Sequence, residues 1–433
     1  MKRLPLHTRM LLGFVIGAAA GVAAHLLFRD SAGLQTVVRY VSQPIGQIFL
    51  RLLFMLVLPL LFSALVLGVA GLGDVRRLGR VGLKMLAYTV VVSGIAVVLG
   101  VTLVNVLRPG DGMEPEVRAR LLEAAASRSQ TVARVEAPKT GLDLLIQIVP
   151  DNPLRAAANG DMLAVMFFAL FFGIGLAQVR SAAARRLEEA IEGLYDVSMR
   201  LIGMVIQFAP VGVAALLFTL TAELGYEILG QLARYVGVVL LALCLHQFVV
   251  YSLAVRFLGR MHPWKFFRGI EEAMLTAFST ASSNATLPTA LRVAEDNLRL
   301  PPQISRFVLT IGSTANQNGT ALFEGVTVLF LAQFYGVPLG ILEQGLVVLV
   351  CVLGGIGTAG VPAGSIPVVA LILGMVGIPP EGIGLILGVD RFLDMCRTTL
   401  NVTGDLAAAV VVSRGESPAA LALAAPAATA GSG

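Results

Sequence analysis

The chain has 433 residues, 56% of them hydrophobic and only 14% charged, with a mean hydropathy of +0.83. This balance excludes an ordinary water-soluble domain and fits a polytopic membrane protein. The net charge of +5 is scattered in short basic clusters, which mark membrane topology rather than a nucleic-acid surface.

Apolar segments of spanning length run over 9–28, 45–72, 82–107, 160–179, 197–222 and 229–257. Each is near or above the ~20 residues that cross ~30 Å of hydrocarbon. Basic clusters precede the first (Lys2, Arg3, Arg9) and follow the second (Arg76, Arg77, Arg80, Lys84). Others follow the fourth (Arg180, Arg185, Arg186) and the sixth (Arg256, Arg260, Lys265, Arg268). All four lie on one side if spans alternate, so the N-terminus is expected in the cytoplasm. Trp264 beside the last cluster reads as an interface anchor. The first basic cluster runs directly into a full span, so no cleavable signal peptide is expected.

The polar loop around 108–140 is expected outside, and the Ala-, Pro- and Gly-rich tail 416–433 is expected to be disordered. Cys244, Cys351 and Cys396 lie in apolar stretches and read as small buried hydrophobes, with no disulfide or metal spacing. The four histidines, His7, His25, His246 and His262, are dispersed and read as structural or interfacial.

The final third breaks the simple pattern. Residues 276–293 read TAFSTASSNATLPTALRV and residues 351–373 read CVLGGIGTAGVPAGSIPVVALIL. Pro and Gly interrupt each one, so neither forms a single continuous helix. Irregular backbone at membrane depth is tolerated only against protein or a water-filled cavity. Both therefore read as re-entrant hairpins, the alternative being two loops between short spans. Each is followed by a span with polar residues at its centre, 307–334 and 383–413. Hairpin–helix, hairpin–helix is the layout of an inverted repeat around a transport site.

The last span carries Asp390, Asp394, Arg397, Asn401 and Asp405. At about 100° per residue they share one narrow wedge of a helix face. A charge at the bilayer centre costs roughly 2.5–3.5 kcal/mol, so this stripe must face water, ligand or protein. Its alternating signs suit a ligand that carries both charges. A guanidinium can hold a carboxylate bidentately. The alternative, that Arg397 only neutralises Asp394 one turn away, leaves both charges in the membrane unexplained.

Four motifs stand in order: SSNATLP at 282–288, NQNGT at 316–320, GTAGVP at 357–362 and DMCRTTLNVTGD at 394–405. With them, RLLFMLVLPLLFSALVLGVAGL at 51–72 and IVPDNPLRAAANGDMLAVMFFALFFGIGLA at 148–177 resemble the second and fourth spans of the dicarboxylate/amino acid:cation symporter family. That family includes the glutamate/aspartate transporters, and the likeness covers nearly the whole chain. It implies an all-α polytopic membrane protein of the elevator-type glutamate transporter fold, with eight transmembrane helices plus two re-entrant helical hairpins in inverted repeats. It implies a homotrimer in the cell (inner) membrane. Residues 1–258 would hold the first six spans, with spans 1, 2, 4 and 5 as the trimerisation scaffold and spans 3 and 6 joining the transport domain. Residues 259–415 would form the core of that transport domain, the first hairpin entering from the cytoplasm and the second acting as the outer gate.

The resemblance also implies site roles. The residue matching Arg397 selects an acidic side chain and the one matching Asp394 binds an amino group, which together imply L-aspartate or L-glutamate. Thr320, Thr398 and Asn401 match further substrate contacts. Ser282 and Ser283 match the first hairpin's groups at the α-carboxylate, and Gly360 and Val361 the tip of the second hairpin. A sodium site resembles Gly312, Asn316, Asn401 and Asp405; hard cations take such oxygen ligands. A second, built from carbonyls, maps to Ser313, Thr314, Gly355, Ile356 and Thr358. A third is damaged: the family's Asp is Asn318, its Thr is Val92 beside a retained Ser93, and its Met is Gln317.

Glu324 lies one turn beyond Thr320 on the same face. Carboxyls among apolar groups favour the neutral acid, so Glu324 reads as a proton carrier; the other reading is a permanently protonated, hydrogen-bonded core residue. Proton-coupled and vertebrate glutamate carriers resemble this chain in having Glu there. The expectation is a symporter coupled to protons, sodium or both, needing no cofactor, and not an enzyme. The alternatives are a C4-dicarboxylate carrier (succinate, malate or fumarate) and a carrier with anion-channel activity.

Overall fold

The computed structural model describes residues 6–28, 31–71, 80–112, 149–159, 162–357, 365–379 and 382–414. Every regular element among them is helical. The 416–433 tail and residues 113–140 of the expected outer loop lie outside the described residues.

The first helix, α1 (Leu6–Phe28), is followed by α2 (Ala32–Val37), which passes through the wider π turn Val38–Ser42 into α3 (Gln43–Phe54) and then α4 (Val57–Gly71). The expected continuous span 45–72 is thus broken at Met55–Leu56. Pro59 accounts for the break: its ring excludes the carbonyl four residues back and it has no N–H to donate. Next come α5 (Arg80–Leu107), α6 (Pro153–Asn159), α7 (Met162–Gln178) and the 43-residue α8 (Ala182–Leu224). Helix α8 bends by 53° between Val205 and Gln207. Residue 206 is the i−4 position of Pro210, so the cause is the same. Helix α9 (Glu227–Leu245) runs on through π turns to Leu258.

Three helices are long and apolar enough to cross a membrane among the described residues, four if the bent α8 counts as one span. Of the other expected spans, 45–72 and 307–334 are broken, 160–179 forms a 17-residue helix, and 383–413 carries the charged stripe.

Helix α1 packs along α8, and its glycines explain the closeness. A Cβ on Gly13, Gly17 or Gly21 would lie 2.3, 2.4 or 2.6 Å from the carbonyls of Pro210, Ala214 and Phe218. This i, i+4, i+8 stripe is the small-residue contact that lets membrane helices approach. Helix α8 also packs on α3 and α4, and α7 on α4.

The other half begins with α10 (Pro263–Thr280) and α11 (Ser283–Arg292). The chain reverses at Ala281, in a left-handed conformation, and Ser282, whose hydroxyl caps α11 by accepting from the Ala285 N–H. The arms are pinned at their open end by an Arg292–Glu272 ion pair and by Asn297 Nδ2 donating to the Gly269 carbonyl at 2.7 Å. This is the hairpin expected over 276–293. Helices α12 (Pro302–Ala315) and α13 (Asn318–Tyr335) follow, then α14 (Ile341–Gly357), α15 (Ile366–Met375) and the 31-residue α16 (Ile383–Ser413). Helices α14 and α15 are the arms of the second expected hairpin; its tip, with Thr358, Gly360 and Val361, lies outside the described residues.

Helix α13 is the centre of this half: every residue in it except Gln333 is buried. It packs against α5, α9, α14, α15 and α16. Gly384 and Gly388 of α16 admit Leu216 of α8 and Phe14 of α1, where the two halves meet.

The cysteines need one correction. Cys351 is buried and Cys396 half-buried, but Cys244 is exposed on α9, as is Leu241 three residues before it. Phe248, in the π turn that follows, packs its ring 5.4 Å from that of Phe267 in α10, yet Cys244 itself stays exposed, so burial inside the fold does not follow from hydrophobicity.

Candidate substrate and ion site

The site is assembled where α16 passes the broken junction of α12 and α13. The expected continuous span 307–334 is interrupted at Asn316 and Gln317, whose backbones leave helical geometry (φ −110°, ψ 65° and φ −98°, ψ 57°). The amide side chains around the break replace the lost ladder. Asn401 of α16 accepts from the Gly319 N–H at 2.7 Å and donates to Gln317 Oε1 and Thr320 Oγ1 at 2.5 and 3.1 Å. Gln317 Nε2 in turn donates to the Ser313 carbonyl at 2.9 Å. Asn401 thus ties the opened helix to α16.

Arg397 is 1% exposed and is held on three sides. Its Nε donates to Asp394 Oδ1 and its Nη1 to Asp390 Oδ1, each at 3.0 Å. Its guanidinium carbon lies 4.2 Å from the centre of the Phe323 ring, a cation–π contact. Its Nη2 is buried with no hydrogen-bond partner. A buried guanidinium N–H left unmade is costly, so this group is a candidate donor to an acceptor oxygen. Thr398 is buried on the next residue of the same helix.

Ser283, the first residue of α11, has a buried hydroxyl with no partner, and α11 packs against α16. A helix N-terminus favours an anion. Ser282 is occupied as the cap of α11.

A second cluster surrounds Asp405. Asn316 Nδ2 donates to its Oδ1 at 2.9 Å, while Asn316 Oδ1 stays buried and unpartnered. A Cβ on Gly312 would lie 2.6 Å from Asp405 Oδ1, so only glycine allows this approach. Gly312, Asn316 and Asp405 are therefore together, with Asn401 one turn away on α16. Of the carbonyl set, Gly355 packs within a Cβ's reach of the Gln317 carbonyl, 3.4 Å. Ser313 and Thr314 lie in the last turn of α12 and Ile356 near the end of α14.

Asn318 is fully engaged. It accepts from Ser93 Oγ at 2.5 Å and donates to Tyr251 Oη at 3.0 Å, and Tyr251 donates to the Leu400 carbonyl at 3.2 Å. Val92 is buried beside Ser93. Glu324 is 0% exposed and neither carboxyl oxygen has a hydrogen-bond partner. That geometry does not match a hydrogen-bonded core glutamate. Gly354 of α14 faces it: a Cβ there would lie 3.3 Å from Glu324 Oε2.

Residues 6–415 match the family described as the sodium:dicarboxylate symporter family. The chain belongs to the sodium:dicarboxylate symporter family. Such proteins are multi-pass membrane transporters that couple solute movement to a cation, not enzymes. A relative named "Proton/glutamate-aspartate symporter" from Escherichia coli (strain K12) is 35% identical over 94% of this chain and 91% of its own. The "Proton/sodium-glutamate symport protein" of Bacillus subtilis (strain 168) is 33% identical over 96% and 94%. "Excitatory amino acid transporter 3" of Homo sapiens is 29% identical over 93% and 85%.

Three residues of the candidate site, Phe323, Tyr251 and Arg391, escaped the sequence reading, and a fourth, Asp390, was read only in part. Phe323 and Tyr251 act through ring contact and hydroxyl, which only packing reveals. Asp390 was visible in the charged stripe, but its pairing with Arg397 was not. Arg391, one residue outside the wedge, stands 3.5 Å from Asp394 Oδ2. Of the histidines, His25 Nδ1 bonds the Ala222 carbonyl, His262 caps α10, and His246 packs edge-on against the Tyr251 ring.

Proposed function

We infer that this symporter takes up L-aspartate and L-glutamate. The observation that carries the reading is the buried Asp390–Arg397–Asp394 cluster with its unpartnered Nη2. In this reading the side-chain carboxylate of the substrate completes the Arg397 fork and its ammonium meets Asp394. Thr320, Thr398 and Asn401 orient the ligand, and the α-carboxylate lies at Ser282 and Ser283, where the α11 N-terminus and the unpaired Ser283 hydroxyl favour an anion. Gly360 and Val361 close the site. The names of the bacterial relatives, which include protons, glutamate and aspartate, agree with it.

The coupling ion is a proton carried on Glu324, whose carboxyl has neither an ionic nor a hydrogen-bonded partner. Sodium is the further coupling ion, held by Gly312, Asn316, Asn401 and Asp405; Asn316 Oδ1 supplies an unused buried ligand. Ser313, Thr314, Gly355, Ile356 and Thr358 are the second cation set. The engaged Asn318 argues against a third.

The two packing groups support an elevator, with α1, α3, α4, α7 and α8 as scaffold and the rest moving against it. A homotrimer is supported by Leu187, Leu194, Val197, Leu201, Met204 and Phe208, exposed along α8 at alternating spacings of three and four residues or their sum. The N-terminus is cytoplasmic in this arrangement.

The test is uptake by purified protein in liposomes, with sodium and pH gradients imposed independently. Saturable, concentrative aspartate uptake driven by an inward proton gradient is expected. Uptake that neither saturates nor accumulates substrate, whichever gradient is applied, overturns the reading.

A further inference from the structure

The corner between α9 and α10 carries charge that the fold leaves uncompensated. Helix α9 runs on to Leu258, and the chain turns back into α10 at Pro263. Backbone bonds fix this turn. The N–H groups of Gly259 and Met261 donate to the Ala254 and Val255 carbonyls, each at 3.0 Å, and Arg260 takes a left-handed conformation between them. Arg414, at the end of α16, donates to the Leu258 carbonyl at 2.9 Å. Arg256, Arg260, Lys265 and Arg268 are all exposed on this corner. No Asp or Glu stands in the sequence between Glu227 and Glu271. Among the described residues, none of the four basic side chains makes an ion pair or a hydrogen bond. The carboxylates of the first hairpin are used within it: Glu272 pairs with Arg292 and Glu295 with Arg306. Glu271, three residues past Arg268, forms no ion pair with it.

Two bare rings stand among these charges, Trp264 at 72% and Phe257 at 68% exposure. Both lie at the end of a 31-residue apolar span, Ile228–Leu258. That place decides what meets them. Rings with a polar edge settle at the level of the lipid headgroups, and a group of Lys and Arg beside a span attracts anionic headgroups. Topology accounts for the sign of the charges. The rings between them, and the folded corner that presents both, make a surface that a headgroup layer covers.

We propose that the α9–α10 corner binds anionic phospholipid headgroups through Arg256, Arg260, Lys265 and Arg268. Helix α10 packs on α16, the helix that carries Arg397. Lipid held at this corner therefore anchors the half built around α13 and α16 to the membrane surface.

Trp264 is the only tryptophan of the chain, so its fluorescence reports this corner alone. The experiment reconstitutes the full-length protein in phosphatidylcholine bilayers and quenches Trp264 with brominated phosphatidylglycerol or brominated phosphatidylcholine at equal mole fraction. Wild type is expected to favour phosphatidylglycerol at Trp264 by about fivefold or more, roughly one basic side chain on one headgroup. In about 1 M NaCl, where the Debye length is about 3 Å, the preference falls to within about twofold. Arg256→Gln, Arg260→Gln, Lys265→Gln and Arg268→Gln together abolish it, whereas Arg180→Gln with Arg185→Gln, before and within the first turn of α8, leaves it unchanged. Should the fourfold variant fail to insert, Arg260→Gln with Lys265→Gln is expected to lower the preference at least about twofold. Equal quenching by the two lipids in wild type overturns the proposal, as does a preference that survives the loss of these charges. Inorganic phosphate that lowers the preference more than chloride at equal ionic strength marks a site for soluble anions, and overturns it too.

Discussion

Arg397 donates its Nε to Asp394 Oδ1 one turn away along α16 and keeps Nη2 buried without a partner. The pair is thus half-satisfied, and in the proposed reading a ligand carboxylate completes it. Arg397→Lys supplies a point charge with no fork. Losing one or two charged hydrogen bonds, each about 1.5–3 kcal/mol, is expected to raise the aspartate Km at least about tenfold. The check is a concentration series of aspartate uptake; an unchanged Km removes Arg397 from the substrate.

Glu324 has no partner for either oxygen and sits against Gly354 of α14. Glutamine keeps the shape and cannot release a proton. Wild-type uptake is expected to fall as external pH rises, because less proton is available to enter. In Glu324→Gln this response is lost, while exchange of internal for external aspartate persists. A pH response equal to wild type in the variant contradicts the assignment.

Among the described residues, Asp405 is the carboxylate bonded by the Asn316 amide at the helix break. Asp405→Asn removes the charge that a hard cation needs. Sodium stimulation of aspartate binding is expected to weaken by about tenfold or more, at roughly one charged contact. Sodium titration of ligand-induced thermal stabilisation in detergent reads it directly, and an unaltered sodium midpoint excludes Asp405 as a ligand.

Gly17 lies against the Ala214 carbonyl, where a Cβ would stand at 2.4 Å. Gly17→Val forces α1 from α8 and is expected to cost about 1–3 kcal/mol of stability, as overpacking does. Gly175, with open space around it, is the control, and Gly175→Ala should be near neutral. Thermal unfolding of the two variants in detergent checks the difference.

Much of the fold was legible because spans follow from hydropathy and breaks from proline. The interval 383–413 matches α16 since nothing in it interrupts the ladder. Pro59 and Pro210 were present in the expected spans 45–72 and 197–222, and each breaks or bends its helix at the i−4 carbonyl. The opening at Asn316–Gln317 was harder: no proline marks it, and the amides that cause it also stabilise it from α16. The charged stripe exposed Asp394, Arg397, Asn401 and Asp405 because membrane charge is costly. Phe323, Tyr251 and Arg391 join through contacts between elements or outside the wedge, which periodicity does not encode. The tip of the second hairpin, with Gly360 and Val361, remains a reading from sequence.

The most direct test of the central claim is calorimetric titration of the purified protein with L-aspartate, comparing wild type and Arg397→Ala at matched thermal stability. A saturable heat in wild type that vanishes in Arg397→Ala is the expected result. Equal affinity in the two proteins contradicts the assignment of that guanidinium to the ligand.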